Sequence, residues 1–312
     1  MTARRLLPAI LFAAGATSAV ADQPLTGEEF MRQVGVDLET VEVRTETLAP
    51  GVHVLFGAGG NVLASIGEDG VLIVDDQFPP VVPKLEAAIG ELGGGEIDFV
   101  VNTHWHFDHA KGNQVLGAEG SWIVAHENSR EMLTADRRIN LVSRVVAQPA
   151  YPRRALPVIT FDSGIRFHLN GDTIDVMHFA PAHTSGDAAV LLREANVVHM
   201  GDVFRAGGYP FIDADNGGSI DGLIEFVDGV LAQTNVSTVV VPGHGEVASQ
   251  ADLLAYAAML RKVRARIARL IADGATLDEV IAAAPTAEFD EAYGNPALLV
   301  DRAYASLVKL RD

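Results

Sequence analysis

Three imidazoles and a carboxylate fall between His104 and His109, in the run Asn102-Thr103-His104-Trp105-His106-Phe107-Asp108-His109, directly after the apolar segment Phe99 to Asn102. Four such groups behind a buried strand are costly to desolvate unless a cation satisfies them. In an extended chain alternate residues face one side, so His104 and His106 can reach one ion while the following turn delivers Asp108 and His109 to another. This peptide supplies about half of a two-metal site, so the fold must bring further strand ends to it, as sheet proteins do where their loops converge.

Three later segments place polar candidates at the ends of apolar runs: Ala180-Pro181-Ala182-His183-Thr184-Ser185-Gly186-Asp187, His199-Met200-Gly201-Asp202 and Val241-Pro242-Gly243-His244-Gly245. The chain has no cysteine. Thiolate ligands and disulfides are therefore excluded, and any metal must rest on imidazole and carboxylate.

The strands that would carry these ends are readable as β-branched runs bounded by Gly, Pro, Asn or Asp. Val41 to Thr47, Val52 to Phe56, Val62 to Ile66 and Val71 to Val74 predict a β-meander, with Glu68-Asp69-Gly70 as a hairpin corner. A helix over Pro80 to Leu92, a strand over Phe99 to Asn102, a strand over Trp122 to Ala125 and a helix over Glu127 to Asp136 follow. An irregular stretch rich in Arg and Pro runs to Pro157. A second block has strands near Ile165 to Leu169, Thr173 to Phe179, Ala188 to Leu192, Val197 to Met200 and Thr238 to Val241. Its helices cover Ser219 to Gln233, Gln250 to Ala272, Leu277 to Ala284 and Pro296 to Leu310. Two β-rich halves, each ending in helices, predict an α/β fold: an αββα sandwich of two mixed sheets face to face with helices outside. No linker divides residues 22 to 312, which are expected to form one domain.

Residues 1 to 21 have the layout of a cleaved secretory signal peptide, with Arg4 and Arg5, an apolar run from Leu6 to Ala14, and Ala19 and Ala21 before Asp22. The apolar run is too short for the roughly 20 residues of a bilayer span, so no stable membrane anchor is expected. The expected location is periplasmic or secreted. Loss of Arg4 and Arg5 takes the formal charge from −18 to −20. Such a field repels nucleic acid and anionic lipid and leaves a small molecule as the expected partner.

The ordered set H-x-H-x-D-H, then His in H-T-x-G-D, then G-D, then P-G-H-G resembles the metallo-β-lactamase superfamily from about Val41 to Gly245. The resemblance implies two zinc ions, the first held by His104, His106 and His183, the second by Asp108, His109 and His244, with Asp202 bridging both. Asp75 or Asp76, after the strand Val71 to Val74, matches a supporting carboxylate that orients a ligand histidine. Two such ions can share a hydroxide, lower the pKa of its parent water and polarise a carbonyl. This implies a hydrolase of a cyclic amide, lactone, ester or thioester, with Asp108 holding or relaying a proton. Within the family, β-lactamases of the cysteine-using subclasses have Cys where this chain has Asp202, and the other dinuclear subclass lacks a bridging carboxylate. Asp202 instead resembles glyoxalase II, lactonases and related esterases. The alternatives are a mononuclear iron enzyme like the persulfide dioxygenases and, outside enzymes, an exported zinc-binding protein.

Arg205, three residues after Asp202, is a candidate contact for a substrate carboxylate, or a cation pairing with an acid such as Asp213. The segment Arg137 to Arg154 holds five arginines and no acid, and forms either a steering patch for an anionic substrate or a solvated face. Gly207 to Ile212 could wall the cleft or simply pack, as could Trp105 and Phe107. His53, His126, His168, His178 and His199 read as structural.

Overall fold

The structure, a computed structural model, describes residues 23–309, and the leader expected over residues 1–21 lies outside them. It opens with a short helix, α1 (Gly27–Gln33), held by a reciprocal cap between Thr26 and Glu29. The β-branched runs that follow pair as expected. β1 (Arg44–Ala49), β2 (Val52–Phe56), β3 (Val62–Gly67) and β4 (Gly70–Val74) form an antiparallel meander, with Glu68-Asp69 as the turn between Gly67 and Gly70. Beyond α2 (Val82–Glu91), β5 (Phe99–Val101) adds in parallel to β4. Two short helices, α3 (Phe107–Ala110) and α4 (Asn113–Glu119), return the chain to β6 (Trp122–His126), again parallel. Helix α5 (Glu127–Leu133) then leads to a separate two-stranded ribbon, β7 (Arg137–Asn140) with β8 (Val145–Gln148), before β9 (Ile159–Phe161) closes the seven-stranded sheet beside β6.

The second sheet runs in chain order: β10 (Gly164–Leu169), β11 (Asp172–Met177), β12 (Ala189–Leu192), β13 (Val197–His199), β14 (Val239–Val241) and β15 (Ala248–Ser249). All its pairs are antiparallel except β13 with β14, which are joined through α6 (Ile220–Leu231). Helices α7 (Gln250–Ala272), α8 (Leu277–Ala282), α9 (Asp290–Tyr293) and α10 (Ala297–Lys309) complete the described chain.

Three apolar layers hold these elements together. Val54, Leu63, Leu72, Val101, Val190 and Val241 fill the space between the sheets. Ile73, Leu85, Ile89 and Val100 bury α2 on the outside of the first sheet. Phe226, Val240, Tyr256, Leu260 and Leu299 bury α6, α7 and α10 on the outside of the second. This is the αββα sandwich, with one mixed sheet in each half. The ends of β4, β5, β13 and β14 then lie along one edge, where the loops carrying the polar motifs meet.

The sequence reading contains no element for α3, α4, β9, β15 or α9, and two segments beside the cleft also differ from it. The stretch from Arg137 to Pro157, expected to be irregular, contains the β7–β8 ribbon, in which Ile139 and Val146 pair directly and are both buried. The arginines around them obscure the alternation that marks a strand. Residues 27–33, to which that reading assigns no element, form α1, whose Thr26-x-x-Glu29 cap is a helix-start signal in so short an element.

Candidate metal centre

Each half of the sandwich contributes donors. From the first sheet, β5 runs into an extended loop and then α3, which has His106 as its N-cap and carries Asp108 and His109 in its single turn. From the second come His183, in the turn before β12, Asp202, in a single 3₁₀ turn after β13 (Gly201–Val203), and His244, just after β14. The seven fall into overlapping groups whose ligand atoms lie within 4.8 Å of one another: His104, His106 and His183; His104, His109 and Asp202; Asp108, His109 and His244. Asp202 Oδ1 lies 3.1 Å from His109 Nε2 and 3.3 Å from His244 Nε2, and Oδ2 lies 3.8 Å from His183 Nε2, so this carboxylate faces both ends of the cluster.

The non-ligating nitrogen of each deep histidine is tied to an oxygen. His109 Nδ1 donates to Asp75 Oδ2 at 2.8 Å, His106 Nε2 to Asp213 Oδ2 at 2.9 Å, His183 Nδ1 to the Phe211 carbonyl at 2.8 Å, and His104 Nδ1 to Thr103 Oγ1 at 3.0 Å. Thr103 Oγ1 in turn donates to Asp75 at 2.8 Å, so it can only accept from His104. These bonds set each tautomer and turn the other nitrogen's lone pair inward.

The inward lone pairs then meet each other. His106 Nδ1 lies 2.9 Å from His183 Nε2, and the fully buried Nε2 of His104 has no hydrogen-bond partner. Facing acceptors of this kind need a cation between them, so the residues present fit a metal. The electrostatics agree. Burial and the neighbouring imidazoles push His104 far below the ordinary histidine range, and burial with His106 lowers His183, so both are neutral donors. Burial opposes charge on His244 too, but Asp202 and Asp108 raise it to about 9. Burial raises the two acids less than His109 and His244 lower them: Asp108 falls to about 2 and Asp202 well below the usual range.

The backbone beneath is shaped for this purpose. Asp75 adopts a left-handed conformation (φ 64°) at the end of β4, where its carboxylate takes the Thr103 N–H at 2.7 Å as well as His109. Asp76 makes no such bond to a ligand. It is wholly buried against Gly112 and Asn102, and burial with the adjacent Asp75 pushes its pKa well above the usual carboxylate range. Asp187 accepts from the backbone N–H of Ala182 and Thr184 and from the Thr184 hydroxyl, pinning the turn that carries His183. Its own burial raises it to about 6.

Two contributors have no motif in the sequence. Asp213, which bonds His106 and Asn216, lies just beyond the Gly207 to Ile212 segment, which was expected to wall the cleft or to pack. It is therefore not a partner of Arg205, which forms no ion pair among the described residues and projects, exposed, at the edge of the cleft beside Asp202 and His244. Asn61, before β3, spends its side-chain amide on the carbonyls of Pro242 and Gly245 (2.9 and 2.8 Å). Its N–H donates to Gly243 at 2.7 Å, and its own carbonyl accepts from His199 at 2.9 Å. It clasps the His244 loop to the first sheet.

Phe211 stacks on His106 and lines the cleft, whereas Tyr209 is buried against Asp290. Trp105 is fully buried and Phe107 borders the cleft. The Arg-rich segment reaches the cleft through Ile139 and Leu141 and not through its guanidinium groups. His53, His126, His178 and His199 hydrogen-bond to Thr47, Asp162, Asp187 and Asn61 respectively, and with His168 they stand outside the ligand groups.

The sequence model of the metallo-beta-lactamase superfamily matches residues 53–266. A hydroxyacylglutathione hydrolase of Erythrobacter litoralis is 28% identical over 122 residues, covering 36% of this chain and only 37% of that enzyme's length. A probable metallo-hydrolase of Methanocaldococcus jannaschii is 24% identical over 199 residues, covering 62% of this chain and 90% of its own. Among solved structures, the DIM-1 metallo-beta-lactamase superposes with a TM-score of 0.57 at 20% identity, over 71% of this chain and 98% of its own, which is a likeness of fold. By its sequence match over the sandwich and the donors gathered at its edge, the chain belongs to the metallo-beta-lactamase superfamily.

Proposed function

We propose that the protein is an exported di-zinc hydrolase that opens the carbonyl of a cyclic amide, lactone, ester or thioester. The observation that carries this reading is the two pairs of facing imidazoles, His106 with His183 and His109 with His244, with Asp202 turned toward both pairs. His104, His106 and His183 would hold one ion, Asp108, His109 and His244 the other, and Asp202 would be shared. Zinc is well matched to imidazole and carboxylate, and two such ions supply an acidified water as nucleophile and a Lewis acid for the carbonyl.

The chain's own residues do the positioning. Asp75, Asp213, Thr103 and the Phe211 carbonyl hold the imidazole rings in their ligating tautomers. Asp108, at the open side of the cluster and ionised, accepts a hydrogen bond from the attacking water and orients it. Arg205 offers a bidentate donor to a substrate carboxylate. The E. litoralis relative, a hydroxyacylglutathione hydrolase by name, supports a carbonyl substrate.

The test is metal content of the purified protein beside hydrolysis of a chromogenic β-lactam, a homoserine lactone and a glutathione thioester. About two zinc per chain and chelator-sensitive hydrolysis of at least one compound are expected. One iron per chain with none hydrolysed would overturn the reading. His106→Ala and Asp202→Ala are expected to lower turnover greatly with the fold retained, and wild-type rates in both would remove the site. A mature N-terminus at Asp22 in periplasmic protein would bear on the export part of the reading.

A further inference from the structure

The cleft over the donors encloses about 520 Å³, and its two sides differ in chemistry. The floor is polar, with His106, Asp108, Asp202, His244 and Arg205. The wall is apolar. Phe30, Met31, Val34 and Val36 supply it from α1 and the turn after it, and Ile139 and Leu141 from β7 and its turn.

The wall is anchored in place. Leu25 bridges to β8, its N–H donating to the Val145 carbonyl (2.9 Å) and its carbonyl accepting from Ala147 (2.7 Å). Gly27 lies against the Phe107 ring, where a Cβ would come within 2.7 Å, and Phe30 packs edge-on to the same ring at 6.1 Å. Glu28 pairs with Lys111 behind the donor loop. A helix tied down on one face nevertheless leaves Val34 51% exposed at the cleft. Residues 25–36 also precede the family match, which begins at residue 53. Ile139 and Leu141, the other part of the wall, lie within that match.

We infer that the α1 wall is a recognition subsite for an apolar acyl or aryl group, so that the compound hydrolysed carries a hydrophobic substituent next to its carbonyl. The inference rests on the hydrolase reading above, and it assigns Phe30, Met31, Val34 and Leu141 to specificity. Burying a methylene transfers about 0.8 kcal/mol, a factor of roughly four in affinity when burial is complete.

The test is a chain-length series of p-nitrophenyl acetate, butyrate and hexanoate with zinc-loaded protein, beside calorimetric binding of acetate and hexanoate to metal-free protein. The specificity constant is expected to rise about two- to fourfold per methylene. Val34→Asp and Leu141→Asp are expected to cut the hexanoate value about tenfold more than the acetate value; both positions border solvent, so two variants guard against a folding artefact in one. Hydrolysis with a flat series, or with equal losses for both esters, overturns the subsite and leaves the hydrolase reading standing. No hydrolysis of these esters or of the β-lactam, lactone and thioester above, but hexanoate binding tighter than acetate and weakened by Val34→Asp, keeps the subsite and removes that reading. Neither hydrolysis nor preferential binding removes both.

Discussion

Asp75 and Asp213 divide one task between them, each fixing the tautomer of one ligand histidine from behind. Such outer carboxylates are typically worth 10- to 100-fold in metal affinity or activity. Asp213→Asn is therefore expected to weaken zinc binding by about that factor in competition with a chromogenic chelator, with an unchanged circular dichroism spectrum. Gly60 carries a steric version of the same requirement: a Cβ there would lie 2.1 Å from His109 Cε1. Gly60→Ala is expected to drive His109 out of position and lower the metal bound per chain by elemental analysis, relative to the unaltered protein. Arg205→Ala is expected to raise KM mainly for carboxylate-bearing substrates, and an equal rise for neutral ones would reject the role given to it.

At the scale of elements, the outer strands of the second sheet are laced by charge. Asp175 on β11 accepts from Arg166 on β10 and from Arg193 just after β12. Burial pushes this acid up, but the two guanidinium groups outweigh it and hold its pKa below the ordinary value. The folded state therefore binds this proton less tightly than the unfolded chain. The stabilisation is present above the ordinary aspartate range and lost as pH falls through the folded value. Asp175→Asn is expected to cost about 1 kcal/mol at pH 7 in denaturant titrations, a figure suited to partly exposed pairs, with the gap closing in acid. Most strands were legible from the sequence because β-branched runs and Gly, Pro or Asn boundaries coincide there, and Val52–Phe56 and Gln250–Ala272 have the bounds read from it. The β7–β8 ribbon was not, because Arg137, Arg138 and Arg144 interrupt its alternation, nor was α1, too short for periodicity to register. The donors were legible because each sits at a strand end in a motif of its own. Asp213 and Asn61 were not, because their roles depend on loops from different sheets meeting, which no local pattern encodes.

The whole molecule has its candidate centre at the seam between two sheets, with donors from both. Ions bound there stabilise the folded state by mass action, about 2.7 kcal/mol when free metal is a hundredfold above its dissociation constant. At about 2–3 °C per kcal/mol for a chain of this size, chelation is expected to lower the Tm by roughly 5–8 °C in scanning calorimetry, and an unchanged Tm would mean that no metal bridges the seam. The Asn61 clasp gives the seam a second property. It spends four hydrogen bonds on holding the His244 loop and β13 against the first sheet, none of which involves a metal. Loading is then an encounter of ion and ready-made cavity and not a coupled folding step. Uptake should follow second-order kinetics without a lag, and amide exchange in the His244 loop should be as slow before the ion arrives as after it.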